Sequence, residues 1–200
     1  MFVYFDLGNV LLQFDHRRAC RQLAGMTGAT PDRIWEIVFA GELERRFELG
    51  EITREEFTDH LARQLGCPPE RPRWENAAAD IFTPIEGMAD LARHLHRRGI
   101  PLGILSNTNV LHWEFVLQNH RWMDELFSVH ALSYRLGLMK PDSRIYRRAA
   151  ELADSVGEPI FFVDDREENV SAAVEAGWDA VRFRSRRQLE DDLRQRGLLS

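Results

Sequence analysis

The sequence predicts an α/β fold, a parallel sheet with a helical segment inserted after its first strand. Three observations lead there. Short apolar runs alternate with stretches of helical periodicity, the pattern of βαβ units. One long segment, from about Asp15 to Thr83, breaks the alternation with helical signals and no convincing strand. Finally, polar residues stand at the carboxyl ends of the apolar runs, where parallel sheets bind their ligands.

The first strand is expected at Phe2–Asp6. In the inserted segment, Thr53 and Glu56 form a capping box ahead of the apolar stripe Phe57, Leu61, Leu65. Gly66 and the stretch Cys67-Pro68-Pro69 end that helix. Trp35, Phe39, Phe47 and Trp74 are expected to fill the segment's own core, with one or two bordering a pocket. Met88, Leu91, Ala92 and Leu95 share one helical face, and Gly99 is placed to stop the helix. Strands follow at Leu102–Ser106 and Phe127–Leu132, then a helix carrying Ile145, Ala149 and Leu152. The next strand is Ile160–Asp164, followed by a helix with Val170, Ala173 and Val174 that Gly177 closes, and a last strand at Ala180–Phe183. The charged stretch Arg184–Ser200 is expected as a surface helix with a solvated face. In this reading residues 1–14 and 84–200 make the core, and residues 15–83 the cap.

Composition bounds the function. A chain of 200 residues suffices for one compact α/β domain with a modest insertion. Hydrophobic residues at 44% and charged residues at 29% fit a soluble globular protein. A formal net charge of −6 does not favour a nucleic-acid partner. No apolar stretch approaches the roughly 20 residues of a membrane-spanning helix. The run Phe2-Val3-Tyr4-Phe5 begins at once, so no signal peptide is expected. Cys20 and Cys67 have no metal-ligand spacing and read as reduced thiols in a cytoplasmic protein.

The chemistry is concentrated at three strand ends: Asp6-Leu7-Gly8-Asn9-Val10, Ser106-Asn107-Thr108-Asn109 and Asp164-Asp165. Singly, each has a plain reading. Asp6 could be a turn residue, Ser106-Asn107 a cap for a helix near Val110, and Lys140 a surface residue. Adjacent Asp164 and Asp165 are harder to dismiss, because neighbouring carboxylates repel and burying them without a cation is costly. Taken together the set is coherent. Carboxylates offer the hard oxygen ligands Mg²⁺ prefers. Ser106 and Asn107 can donate to phosphate oxygens, Lys140 adds a point charge, and both cations would favour an ionised Asp6.

These residues resemble, in order and over nearly the whole chain, the motifs of the haloacid dehalogenase-like hydrolases. Asp6 matches the nucleophile, Ser106 the phosphate-contacting residue, Lys140 the motif lysine, and Asp164 and Asp165 the acidic pair. Phe5–Val10, Leu105–Asn109, Lys140-Pro141 and Gly50-Glu51-Ile52-Thr53 are similar to the subgroup containing bacterial α-D-glucose-1-phosphate phosphatase. The resemblance implies a Rossmann-like core with a helical cap. It also implies a Mg²⁺-dependent phosphatase acting on a small phosphorylated metabolite such as a sugar-1-phosphate. In that scheme Asp6 attacks phosphorus and water hydrolyses the aspartyl-phosphate. Mg²⁺ would be held by Asp6, the backbone carbonyl of Gly8 and Asp164, with Asp165 bound directly or through water. Ser106, Asn107 and Lys140 would hold the phosphate oxygens.

One position departs from the family pattern. Most family phosphatases carry a second Asp two residues after the nucleophile, as general acid and base; here Gly8 stands there. Losing such a group typically costs ~10²–10⁴ in rate. Three readings follow: a catalytically dead phosphate- or protein-binding module, a substitute such as Asp15 or His16, or a leaving group that needs little protonation. An anomeric hydroxyl, more acidic than an ordinary alcohol, suits the last. A metal-independent 2-haloacid dehalogenase is the rival enzyme, although the acidic pair would be out of place in it. A nucleotide-binding dehydrogenase lacks its GxGxxG. His112 could face the substrate, but a helix-surface position is the stronger expectation.

Overall fold

The computed structural model describes residues 1–199. Strand β1 (Phe2–Phe5) leads to a short strand β2 (Leu12–Phe14) and then to five helices, α1 (His16–Thr27), α2 (Pro31–Val38), α3 (Leu43–Glu48), α4 (Arg54–Leu65) and α5 (Arg71–Ala79). Strand β3 (Phe82–Pro84) precedes α6 (Met88–Arg97), β4 (Leu102–Ser106), α7 (Val110–Asn119), α8 (Trp122–Leu126) and β5 (Val129–Leu132). The chain continues through α9 (Ser133–Leu136), α10 (Ser143–Leu152), β6 (Ile160–Asp164), α11 (Glu167–Glu175), β7 (Asp179–Arg182) and α12 (Arg186–Gln195). Among the described residues no helix is long and apolar enough to cross a membrane.

The main sheet has five strands, all parallel, in the order β5-β4-β1-β6-β7. Its central strands are continuous apolar runs because both faces are covered. Val3 and Phe5 of β1 face one cluster with Met88, Leu91 and Leu95 of α6 and Leu189 and Leu193 of α12. Phe2 and Tyr4 face the other, with Ile145, Tyr146 and Ala149 of α10 and Ala173 of α11. Gly103 makes room on that second face, since a Cβ there would lie 2.5 Å from the Tyr4 ring and 2.7 Å from the Phe2 ring. Helices α1 to α5 pack around a separate cluster that includes Cys20, Leu23, Ile34, Phe47, Phe57, Leu61 and Trp74, and Leu111 of α7 joins it.

The capping box forms at α4: Thr53 Oγ1 accepts from Glu56 N–H at 3.1 Å, and Glu56 Oε2 accepts from Thr53 N–H at 2.8 Å. Gly66 ends that helix in the left-handed region at φ 66°. Four expectations need correction. Phe82 and Thr83, assigned to a strandless segment, pair antiparallel with Phe14 and Gln13. Strands of three residues are too short to show alternation, and their partner lies across the whole helical insertion. Leu152 and Val174 stand at the edges of their stripes and are exposed. Phe127 is buried but precedes β5, which starts at Val129. Finally, α12 is not simply a solvated helix, because Leu189 and Leu193 are fully buried in the main cluster. Leu193→Ala is therefore expected to cost about 2–5 kcal/mol, read as a lower urea midpoint at unchanged slope.

Candidate active site

Strand order builds the site. With β1 between β4 and β6, and Phe5 in register with Ile104 and with Val163, the carboxyl ends of the three strands lie side by side. Asp6, Ser106 and Asp164 thus emerge as neighbours. Lys140 reaches them from the loop before α10. Its Nζ lies 2.9 Å from Asp6 Oδ1 and donates to Asp164 Oδ2 at 2.6 Å and to the Leu105 carbonyl at 2.8 Å. All three side chains are buried, with residue exposures of 8% for Asp6, 5% for Lys140 and 0% for Asp164. Leu7 N–H donates to Asp6 Oδ1 at 2.7 Å. Asp164 accepts from Asn169 Nδ2 at 3.0 Å on both oxygens and from Arg166 N–H at 2.9 Å. Asp165 accepts from Asn9 Nδ2 at 3.2 Å.

Oxygens of Asp6, Asp164 and Asp165 all lie within 4.8 Å of one another. One ammonium cannot neutralise three carboxylates. Burial pushes Asp6 up to about 7, Lys140 pulls it back, and Asp164 and Asp165 raise it further. Burial also raises Asp165. Burial opposes the charge on Lys140, yet Asp6 and Asp164 outweigh it and hold its pKa above the usual lysine value. A converging set of hard oxygen donors with surplus negative charge fits Mg²⁺, which favours carboxylates and retains water.

Asn109, not Ser106 or Asn107, caps α7: its Oδ1 accepts from His112 N–H at 3.0 Å. The Ser106 hydroxyl makes only a 3.4 Å contact with the Asn107 carbonyl. Asn107 has a duty the sequence did not reveal. Its Nδ2 donates to the Lys140 carbonyl at 2.9 Å and its Oδ1 accepts from Lys140 N–H at 2.8 Å, so the amide fixes the lysine backbone and keeps one hydrogen free to donate.

A cavity of about 50 Å³ opens beside these residues, floored by Gly8, Ser106 and Asn107 and walled by Phe14, His16, Phe82, His112 and Glu48. At Gly8 a Cβ would stand 2.6 Å from Phe14 Cε1, so an aromatic ring occupies the place of the usual second Asp side chain. Asp15 does not border this cavity and pairs with Arg21 at 2.8 Å. His16 does, with its ring 4.8 Å from Phe14 and 4.6 Å from Phe39. His112 is buried rather than on the helix surface, against the edge of Phe82 and with Nδ1 3.1 Å from Asn109 Nδ2. Burial, then His16, pushes its pKa down to about 3, so the ring is neutral. Phe47 and Trp74 are buried in the helical cluster, while Trp35 and Phe39 sit at its edge.

Three participants escaped sequence reasoning. Glu44 and Glu48 are one helical turn apart on α3 and face inward. Burial and then Glu48 raise Glu44 to about 8, against the 3.3 Å hydrogen bond from Asn109 Nδ2. Burial raises Glu48 to about 7 against Arg166 and Lys140. Ser133 Oγ accepts from Thr108 N–H at 2.9 Å and donates to the Glu48 carbonyl at 2.6 Å, joining α3 to the loop after β4. The i, i+4 pair Glu44 and Glu48, beside the i, i+4 apolar pair Leu43 and Phe47, was the available signal.

A family model described as haloacid dehalogenase-like hydrolase matches residues 2–177. Phosphatase MT3486 of Mycobacterium tuberculosis is 28% identical, over 89% of this chain and 84% of its own length. An (S)-2-haloacid dehalogenase of Pseudomonas putida is 33% identical, over 88% of this chain and 81% of its own. Among solved structures, a HAD family enzyme from Bacteroides thetaiotaomicron in complex with magnesium and inorganic phosphate superposes with a TM-score of 0.80. It is 26% identical and covers 92% of this chain and 94% of its own. With Asp6 and the acidic pair both inside the matched span, the chain belongs to the haloacid dehalogenase-like hydrolase family.

Proposed function

We propose that this hydrolase is a Mg²⁺-dependent phosphatase of small phosphorylated metabolites, working through an aspartyl-phosphate on Asp6, with sugar-1-phosphates as its preferred class. The observation that carries the reading is the convergence of three carboxylates at adjacent strand ends, with Asp6 and Asp164 buried on Lys140 and the half-buried Asp165 beside them. Lys140 and Leu7 N–H both hold Asp6 Oδ1, which aims the carboxylate. Asp6 attacks phosphorus in line, and the sugar oxygen leaves. Water then attacks the same phosphorus and frees Asp6 and inorganic phosphate. Ser106, the spare hydrogen of Asn107 and the Lys140 charge hold the phosphoryl oxygens. Bound Mg²⁺, held by Asp6, the Gly8 carbonyl, Asp164 and Asp165, would offset the phosphoryl charge. Residues 15–83 act as a cap that reads the leaving group, since His16 and Glu48 meet the phosphate side in one cavity. Cys20 and Cys67 are free thiols, and we place the reaction in a reducing cytoplasm.

Gly8 under the Phe14 ring supports the sugar-1-phosphate preference. With no carboxylate beside the leaving oxygen, a leaving group that departs with little protonation is favoured. Likeness to a haloacid dehalogenase supports a second reading, displacement of halide at carbon. The carboxylate cluster counts against it, because that chemistry uses no metal. A panel of phosphorylated metabolites and 2-chloropropionate tests both. The expected result is phosphate release that EDTA abolishes and Mg²⁺ restores, faster from glucose-1-phosphate than from glucose-6-phosphate. Halide release in EDTA would establish the dehalogenase, and binding without turnover across the panel a dead module. A preference for the 6-phosphate would remove the leaving-group argument.

A further inference from the structure

Loss of the carboxylate at position 8 affects the two half-reactions unequally. An anomeric leaving oxygen needs little help, but the water that hydrolyses an acyl phosphate must still lose a proton. We infer that Glu48, from the helical insertion, is the base that takes this proton; the inference rests on the phosphatase reading above.

Position singles out Glu48. It shares one cavity with Gly8, Ser106 and Asn107. Among the described residues its carboxylate accepts no hydrogen bond and has no cation within ion-pair distance, although Lys140 and Arg166 are near enough to act on it electrostatically. The end of α3 is pinned against the core. Ser133 Oγ holds the Glu48 carbonyl at 2.6 Å. Gly50, at φ +68°, has space only for a hydrogen, since a Cβ would stand 2.3 Å from the Tyr134 carbonyl oxygen. The backbone carrying this carboxylate is thus fixed beside the phosphate side, and leaving the carboxylate unpaired there costs stability.

The other titratable side chains around it are less suited. Glu44, on the same helix, accepts from Asn109. His112 on α7 is engaged with that same Asn109. His16 on α1 has its ring packed between Phe14 and Phe39. Lys140 and Arg166 are the cations facing Glu48, and both favour its ionised form. Burial sets against them and brings Glu48 to about 7, suited to taking a proton near neutral pH.

In the step, a water O–H bond breaks and its proton goes to the Glu48 carboxylate. The water oxygen bonds to phosphorus as the bond from phosphorus to Asp6 breaks, and that electron pair returns to Asp6. Inorganic phosphate leaves, and Glu48 gives its proton to solvent.

The test is Glu48→Gln, which keeps the shape and removes the base, assayed with several sugar-1-phosphates and Mg²⁺. Only dephosphorylation should slow. The kcat is expected to fall ~10²-fold or more to one common value for all substrates, while kcat/KM stays within about threefold and KM falls in parallel. A burst of sugar release should precede the steady state, and Glu48→Asp should recover part of kcat. Retained kcat/KM also reports a folded enzyme. An unchanged kcat, or kcat and kcat/KM falling together, would overturn the role of Glu48. Absence of Mg²⁺-dependent turnover in the unsubstituted protein would instead overturn the phosphatase reading.

Discussion

Asp6→Asn is expected to lower phosphate release by at least ~10⁴-fold and to leave the fold intact. An amide is neither a nucleophile toward phosphorus nor a hard anionic ligand, so both duties are lost together. Its stability signature is equally specific. Asp6 is raised from 3.8 to about 7, chiefly by burial. A raised acid stabilises the fold below its unfolded pKa, and that contribution is lost as pH rises through the folded value. In EDTA, the unsubstituted protein should therefore lose thermal stability between about pH 4 and 7. Asp6→Asn should lack that part of the decline and melt at an equal or higher temperature at pH 8. A variant that melts lower at pH 8 would show that the Asp6–Lys140 pair outweighs the burial of the charge.

Lys140→Ala has the opposite effect on stability. Lys140 Nζ bridges Asp6 and Asp164, so its removal leaves two buried carboxylates without their shared cation. Breaking a buried ion pair from one side costs about 3–5 kcal/mol, and chemical denaturation should show a loss of that size. Lys140→Met, which refills much of the volume, separates charge from cavity. Adding Asp6→Asn to Lys140→Met should recover part of the loss, because one unpaired charge disappears. Activity should fall ~10²–10³-fold even where the fold survives, as expected when a donor to a developing negative charge is removed. Additive losses in the double variant would contradict the shared-cation arrangement.

The sequence carried the central site for a physical reason. Asp6, Ser106 and Asp164 each close an uninterrupted apolar run, and in a parallel sheet such ends lie on one edge. The acidic pair could be recognised because adjacent carboxylates call for a cation. What stayed hidden depends on contacts between distant positions. Asn107 holds the Lys140 backbone 33 residues away, and Ser133 holds the Glu48 carbonyl 85 residues away. Hydrophobic periodicity says nothing about such pairs. Helix α3 has only six residues, so the i, i+4 pairs Leu43 and Phe47, Glu44 and Glu48 make a pattern too short to stand out. Phe14 lies on a three-residue strand, and only the fold shows its ring over Gly8. Leu189 and Leu193 were obscured by the charged residues around them, although their i, i+4 spacing marks one buried face of α12.

The stereochemical course at phosphorus tests the role of Asp6 most directly. A sugar-1-phosphate analogue made chiral at phosphorus by sulfur and oxygen isotopes can be hydrolysed in labelled water with Mg²⁺ and the configuration of the product read. Two successive in-line displacements, first by Asp6 and then by water, predict net retention. Inversion would mean that water attacks the substrate directly and that Asp6 never carries the phosphoryl group.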